Sequence, residues 1–544
     1  MRIALALAAL LSAGAADART VIVNANGYTL DDIGRLQKFA GVIVGDDGRV
    51  ERLLKPGETA DGEVIDAEGR TLLPGLIDAH GHVMGLGFMA LQTDLSDTTS
   101  IDQALAKIAS AAAAAPERNW IVGGGWNQVS WGLDRFPTAE DLDIAVADRP
   151  VWLTRVDGHA GWANSAALKA SGITAKTLDP AGGRIERDAD GEPTGVLVDT
   201  AMALVEKKLP PPTAAENAAA LETALQIMAS VGLTGVHDAG IDPATWTLYE
   251  QFAKDGKLTA RISAMAGGAD ALRAIAPKGA TGWLYEDRLA LNTVKLVADG
   301  ALGSRGAALL EPYSDDPENS GLTMIEGAKL RNVIASASMR GFQVNVHAIG
   351  DKANREVLNA FADVQKMGQP LVRPSIEHAQ IIAPDDLARF GKLGVIASIQ
   401  PTHATSDKAM AEDRVGPERI KGGYAWKSLV NSGARIAGGS DFPVEPANPF
   451  YGLHAAVTRQ DRGGEPPKGW YANEALTRQQ AFAAFTTGAA YAGQHERAVG
   501  TLTPGKWADF ILVDGDIFKM PAGDIWKVNV LETWLAGKRV YVRD

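Results

Sequence analysis

Eight short apolar runs, rich in β-branched residues, recur along the middle of the chain, with helix-patterned stretches between several of them. The runs cover 73–79, 234–237, 261–265, 293–297, 343–347, 375–378, 395–399 and 435–437, and helical patterns at 214–231, 353–366 and 385–393 fall between them. Parallel strands need a long crossover, usually a helix, so this alternation is the signature of βαβ units. Eight such units predict a (β/α)₈ TIM barrel, an α/β fold whose active sites lie at the C-terminal strand ends. The gap between the first two runs is far longer than the others. Structureless loops of that length are rare in compact domains, so residues from about 95 to 215 are expected to be an insertion after the first barrel strand. Strands are expected in it at 120–123 and 150–154, and a helix over the alanine-rich 109–116.

The two ends of the chain have another texture. TVIVN at 20–24, GVIV at 41–44 and VERLL at 50–54 read as short antiparallel strands, the last two joined by Gly45-Asp46-Asp47-Gly48, whose Asp-Gly pair is hairpin-turn chemistry. Residues 500–514 and 528–542 look alike. One small β-sandwich built from 19–72 and 497–544 is therefore expected beside a barrel over 73–496. Ahead of it, MRIALALAALLSAGAADA carries Arg2, an apolar stretch over 3–11 and the small-residue signal Ala16-Asp17-Ala18. That reads as a signal peptide over 1–18, cleaved before Arg19, and its apolar stretch is too short for a permanent anchor. The competing reading is a buried N-terminal helix of a cytosolic protein. A periplasmic or secreted protein is expected. The sequence has no Cys, so disulfide frameworks and thiolate metal sites are excluded. A formal charge of −13 over 544 residues argues against a nucleic-acid partner. No later apolar run is long enough for a membrane span. A small-molecule substrate is the expected partner, and a homodimer is compatible with the sequence.

Most of the nine histidines sit at strand ends. The first run ends in Asp78-Ala79-His80-Gly81-His82, and residues two apart on a strand point the same way, so His80 and His82 can reach one ion together. Lys295 lies inside the apolar VKLV run, where an unpaired ammonium would be costly. Either it is deeply paired or it carries a modification that makes it a ligand. His347 ends the fifth run, His378 the sixth, and Asp441 follows the eighth in GGSD. Each alone is more simply read as structural. Six at one end of one barrel are hard to explain as packing.

These segments resemble the amidohydrolase superfamily, in particular the family 3 branch that includes N-substituted formamide deformylase-like enzymes. The resemblance rests on LLPGLIDAHGH, VKLVADGALGSRGA, VHAIGDKAN, SIEHAQ, GGSDFPV and GTLTPGKWADFILVD, and covers nearly everything after the leader. It implies that His80 and His82 bind the more buried of two divalent metals and that Lys295, as N-carboxylysine, bridges both. His347 and His378 would bind the second metal, and Asp441 would complete the site. Imidazole and carboxylate ligands suit zinc, with manganese, iron or cobalt as alternatives. The implied reaction is hydrolysis of a non-peptide C–N bond, of the N-acyl or N-formyl amide type, by metal-activated hydroxide with Asp441 as general base and acid. No serine nucleophile motif is present, which argues against a covalent acyl-enzyme.

Further candidates surround these six. His159, in VDGHA, either polarises the substrate carbonyl or fixes the insertion. Asp299 and Arg305, after the lysine run, either contact substrate or pair with each other. Trp126, with Trp131 and Trp162, forms either a pocket wall or the insertion's core. His237 and Asp238 are expected to face the barrel mouth in a supporting role, His403 and His454 to be structural or rim residues, and His495 to lie on the surface. The alternatives to the amide reading are a deaminase or lactonase on the same barrel and, from another class, a non-catalytic secreted binding protein.

Overall fold

The structure is a computed structural model that describes residues 19–31 and 33–544. The leader expected over 1–18 lies outside the described residues. The middle of the chain forms the eight parallel strands of a TIM barrel: β1 (Leu76–Gly81), β2 (Leu233–Ile241), β3 (Arg261–Gly267), β4 (Leu289–Val297), β5 (Gln343–Ala348), β6 (Val372–His378), β7 (Ile396–Ile399) and β8 (Ile436–Gly438). They neighbour one another in chain order from β1 to β8. Between β8 and β1 the gap is bridged by the segment that follows β8. Gly81 and Phe442 form a parallel bridge, and the backbone N–H of Asp441 donates to His80 O at 2.7 Å while that of His82 donates to Phe442 O at 2.7 Å. Closure of the barrel and placement of Asp441 beside His80 are thus one event.

The strand pattern explains what fills the barrel. Gln343, Asn345 and His347 alternate along β5 with Val344, Val346 and Ala348, and all six are buried. Successive strand residues point to opposite faces. The apolar set joins the large core shared with the flanking helices, and the polar set turns inward, where Gln343 Nε2 donates to Asn345 Oδ1 at 3.0 Å. Outside, helices such as Ala214–Ser230 and Asp351–Lys366 pack on the strands. The first of these opens with a capping box, Thr213 with Glu216, which satisfies backbone donors that the first turn leaves free. Deleting a core ring such as Phe361, fully buried here, would cost roughly 3–5 kcal/mol.

Between β1 and β2 the insertion builds its own six-stranded sheet, with Thr93–Asp94, Ile121–Trp126, Val151–Arg155, Ala160–Ala163, Pro193–Asp199 and Gly183–Arg187 side by side in that order. Its apolar clusters are separate from the barrel's. The chain termini supply two further sheets, one of four strands and one of six. Ile22 and Val42 from one meet Leu72, Phe510 and Trp534 from the other in a shared core. The 41–44 and 50–54 strands pair antiparallel as expected, with Gly48 at φ +74° in the turn. Two other pairings differ from the all-antiparallel expectation. Thr20–Val23 runs parallel to Glu63–Asp66, and Asn26–Leu30 runs parallel to Thr71–Pro74. In both cases enough chain separates the partners to cross over, which a tight hairpin does not allow. No helix among the described residues is long and apolar enough to cross a membrane.

Candidate active site

A cavity of about 840 Å³ opens at the C-terminal ends of the barrel strands. The insertion contributes Asn127, Arg155, Asp157 and His159 to its wall, while His347 and His378 come from the ends of β5 and β6, and His403 and Asp441 from the segments after β7 and β8.

Asp78 and His80 both point from β1 into the barrel. The Asp78 carboxylate accepts the backbone N–H of His80 at 3.0 Å and, from the β8 loop, the Ser440 N–H at 3.0 Å and the Ser440 hydroxyl at 2.7 Å. Burial pushes its pKa up to about 7. This clasp holds the next residue, Asp441, whose φ of +64° turns its side chain back toward β1. Its Oδ1 lies 3.1 Å from His82 Nε2 and 3.4 Å from His80 Nε2. Burial alone would raise the Asp441 carboxyl, but His80, His82 and His378 hold it well below the usual carboxylate range.

Lys295, buried in β4, has its Nζ 3.2 Å from His80 Nε2. Burial lowers its pKa, and the nearby Glu377 and Asp441 only partly oppose this. Glu377 went unassigned in the sequence reading. Its carboxylate sits against His80 Nδ1 and accepts the Asn345 amide at 2.7 Å. With Nδ1 tied to Glu377, the Nε2 of His80 is the nitrogen left facing Lys295 and Asp441, the usual way an outer carboxylate orients a histidine ligand. A single Glu beside a His carries no signal in the sequence that would single out Glu377. Consecutive residues of a strand point opposite ways, yet Glu377 and its neighbour His378 both serve the site. The backbone of His378 explains this: its φ of +73° ends β6 and swings the ring into the mouth. That ring lies 4.9 Å from His80 and 4.6 Å from His347, centroid to centroid. Donor atoms of His80, His378 and Asp441 all fall within 4.8 Å of one another.

His347 Nε2 lies 3.4 Å from Asp299 Oδ1 and 3.4 Å from Gly300 O. Burial lowers the pKa of His80, His347 and His378, which favours the ring form that keeps a lone pair. His159 lines the cavity with its ring centroid 5.1 Å from that of His347. Its Nδ1 meets Asp199 Oδ1 at 2.6 Å. Burial would lower its pKa, but Asp199, with Asp157 and Asp299, carries it above the ordinary value.

The structure brings His80, His82, Lys295, His347, His378, Asp441 and His159 to one end of the barrel. Three other candidates do not line the cavity. Asp299 is fully buried and accepts the backbone N–H groups of Ala308, Ile349 and Gly350 at 2.9, 3.0 and 2.8 Å. It clamps the loop after β4 to the end of β5 instead of lining the cavity, and burial raises its pKa to about 7. Arg305 pairs with Asp315 at 2.9 Å and not with Asp299. Trp126 is fully buried in the insertion core, where its indole donates to Leu153 O at 2.7 Å. Conversely, His403 reaches the site from the turn of helix after β7. Its Nε2 lies 3.8 Å from Asp441 Oδ2, and its ring lies nearly parallel to that of His378, 5.9 Å away. Sequence spacing does not place it there, because only the course of the helix Pro401–Asp407 aims it. His237 points down, not to the mouth, with its Nε2 close against Gly493. Asp238 faces outward, accepting the Val83 N–H at 3.0 Å and the Tyr249 hydroxyl at 2.5 Å. His495, expected on the surface, is buried and stacks on Trp283 at 3.7 Å.

Known proteins share this architecture. An uncharacterized metal-dependent hydrolase from Pyrococcus horikoshii superposes with a TM-score of 0.74 at 28% identity, covering 93% of this chain and 99% of that one. The putative amidohydrolase YtcJ of Bacillus subtilis is 34% identical over 92% of this chain and 94% of its own length. The N-substituted formamide deformylase of Arthrobacter pascens is 27% identical over 96% of this chain and 98% of its own. The sequence model of the amidohydrolase family matches residues 63–541. The chain therefore belongs to the amidohydrolase family.

Proposed function

We propose that this protein is a metal-dependent hydrolase that cleaves a non-peptide carbon–nitrogen bond, of the N-acyl or N-formyl amide type. The observation that carries the reading is the convergence of His80, Lys295, His378 and Asp441 beneath one cavity, with His82 and His347 at its sides. The donor set fits a divalent metal such as zinc. Burial disfavours the charged form of the imidazoles that face the Asp441 carboxylate, Glu377 fixes the His80 lone pair inward, and among the described residues the buried Nδ1 of His378 has no hydrogen-bond partner. His80, His82, His347, His378, Asp441 and a carboxylated Lys295 would hold the metal, and two ions are proposed. Burial suits that modification, since a lysine with a lowered pKa presents a neutral amine to carbon dioxide. Bound there, divalent metal supplies Lewis acidity and a water ligand with a pKa near about 7.

The chain's own groups do the rest. Asp441, held ionised, takes the proton from the attacking water and returns it to the departing nitrogen as the C–N bond breaks, giving a carboxylic acid and an amine. His159 turns its Nε2 toward the cavity, where the substrate carbonyl oxygen is to be polarised. The insertion forms part of the cavity wall beside the reacting carbonyl. The amide class is supported by the deformylase relative and by the family.

The test is metal analysis together with a hydrolysis screen of zinc-loaded protein on N-formyl amines, N-acyl amines, N-acyl amino acids, Xaa-Pro dipeptides, lactones and aminopurines. About two metal equivalents and turnover of formyl or acyl amines are expected. Turnover confined to lactones, dipeptides or aminopurines would replace the amide reading, and metal-free protein without turnover would favour a binding protein. Export to the periplasm is part of the proposal, and a mature N-terminus at Arg19 in mass spectrometry of the native protein would support it. An intact Met1 would overturn it.

A further inference from the structure

His159 comes from the insertion, not from the barrel, so something must hold its ring at the mouth. Asp199 fastens it twice. The backbone N–H of Asp199 donates to His159 O at 2.9 Å, and its carboxylate Oδ1 lies 2.6 Å from His159 Nδ1. The Asp199 side chain is fully buried, its Oδ2 has no hydrogen-bond partner among the described residues, and the residue sits at φ +51°. Positive φ is strained for a residue with a Cβ and persists only where surroundings enforce it. The barrel provides the space. A Cβ on Gly300 would stand 2.5 Å from Asp199 Oδ2, and one on Gly306 would stand 2.6 Å from it. Both glycines belong to the loop after β4, the strand that carries Lys295. Buried against the backbone of two glycines, the carboxylate directs its side-chain hydrogen bond among the described residues to His159.

We propose that Asp199 is the positioning residue for His159. Its carboxylate accepts the Nδ1–H hydrogen bond, keeps that proton in place, fixes the ring angle and so turns Nε2 toward the cavity, with Gly306 keeping the carboxylate's seat open. The catalytic part of this rests on the hydrolase reading above; the tautomer does not. A carboxylate on Nδ1 is the arrangement that sets imidazole orientation in His–Asp pairs generally, and replacing such an aspartate by asparagine leaves the wrong tautomer.

Two measurements on the full metal-loaded protein test it. The first is ¹⁵N NMR of the histidine rings, with His159 assigned from His159→Asn. Wild type is expected to carry a proton on His159 Nδ1, and Asp199→Asn to lose that signature, whether or not a substrate is known. A wild-type His159 bare at Nδ1, or a spectrum unchanged in Asp199→Asn, would overturn the proposal. The second is kinetics on whichever amide the screen yields. Asp199→Asn should lower kcat roughly 100-fold, the scale of a positioned proton-transfer group, with KM within about threefold and metal content unchanged. Gly306→Ala, which touches neither His159 nor a metal ligand, should lower kcat in the same sense but less, by displacing the carboxylate. Equal kcat in Asp199→Asn and wild type would reduce Asp199 to a structural part of the insertion. A panel without turnover would fail the hydrolase reading and leave the NMR result to decide the Asp199–His159 link.

Discussion

The two ends of the barrel carry similar residues and use them in opposite ways. At the N-terminal end Arg261, the first residue of β3, is gripped by Asp509 of the terminal module through bonds of 2.7 and 2.9 Å. Its other donors reach the carbonyls of Glu286 and Asp287 at 2.9 Å each. Trp507 donates to Asp287 at 2.7 Å, and His495 lies 3.5 Å from the same carboxylate. The free space there is about 20 Å³, room for little more than one water. At the C-terminal end the buried titratable groups include His80, Lys295, Glu377 and Asp441, and beside them stands a cavity of about 840 Å³. The floor polar groups turn mostly to each other and to backbone, joining barrel to sandwich. Those at the mouth keep lone pairs turned to open space. A buried histidine or carboxylate marks function when its remaining lone pair has somewhere to point, and marks cohesion when it does not.

That contrast predicts which property each end loses. Asp441→Asn should reduce kcat by roughly 10³-fold or more while the far-ultraviolet circular dichroism stays as in wild type, since it removes a proton acceptor and a ligand together. Lost structure instead would place Asp441 with the cohesive groups. Lys295→Ala should cost about 100-fold or more in activity and one metal equivalent, with short-chain carboxylates restoring part of both; unchanged turnover and metal content would exclude the bridging role. Arg261→Ala works the other way. It strands Asp509 in a buried pocket, so denaturant unfolding should show a loss of about 3 kcal/mol or more at nearly unchanged kcat. A large kcat effect would blur the division between the two ends.

A smaller effect should follow pH. The contact of His495 with Asp287, against the cost of burial, holds the Asp287 carboxyl at about 2, below the ordinary 3.8. A carboxyl with a depressed folded pKa contributes stability that is complete above the unfolded value and is lost as pH falls through the folded one. The stability gap between wild type and Asp287→Asn should therefore be constant at pH 5 and above and narrow between about pH 4 and 2. A gap that widens on acidification would mean the carboxylate is not the stabilising form. Smallest of all, Arg305→Ala breaks a half-exposed pair with Asp315, which Arg414 also contacts. It should change stability by about 1 kcal/mol or less and leave KM unaltered. A several-fold rise in KM would return Arg305 to the substrate.

Much of the barrel was legible because period-two alternation and helix-length crossovers are local properties of sequence. The eight expected runs overlap the eight strands, some short by several residues, as with 234–237 inside Leu233–Ile241. The insertion was seen as a length anomaly, but its hairpin strands Gly183–Arg187 and Pro193–Asp199 carry little alternation and were missed. Asp199 was missed with them. The six metal-ligand candidates showed because their residue types recur at strand ends. Glu377, His403 and Asp199 did not, since each earns its place only from what lies across the fold.

The sequence by itself determined the strand-and-helix order, the inward-facing set on each strand and the chemistry available at the strand ends, because backbone sterics and side-chain periodicity act between near neighbours. Only the tertiary structure decided which of those groups share a cavity. The left-handed turns at His378 and Asp441, the closure of β8 onto β1 and the seating of Asp199 against Gly300 and Gly306 join residues about 100 to 360 positions apart. Contacts of that separation are set by global packing, which no local pattern encodes.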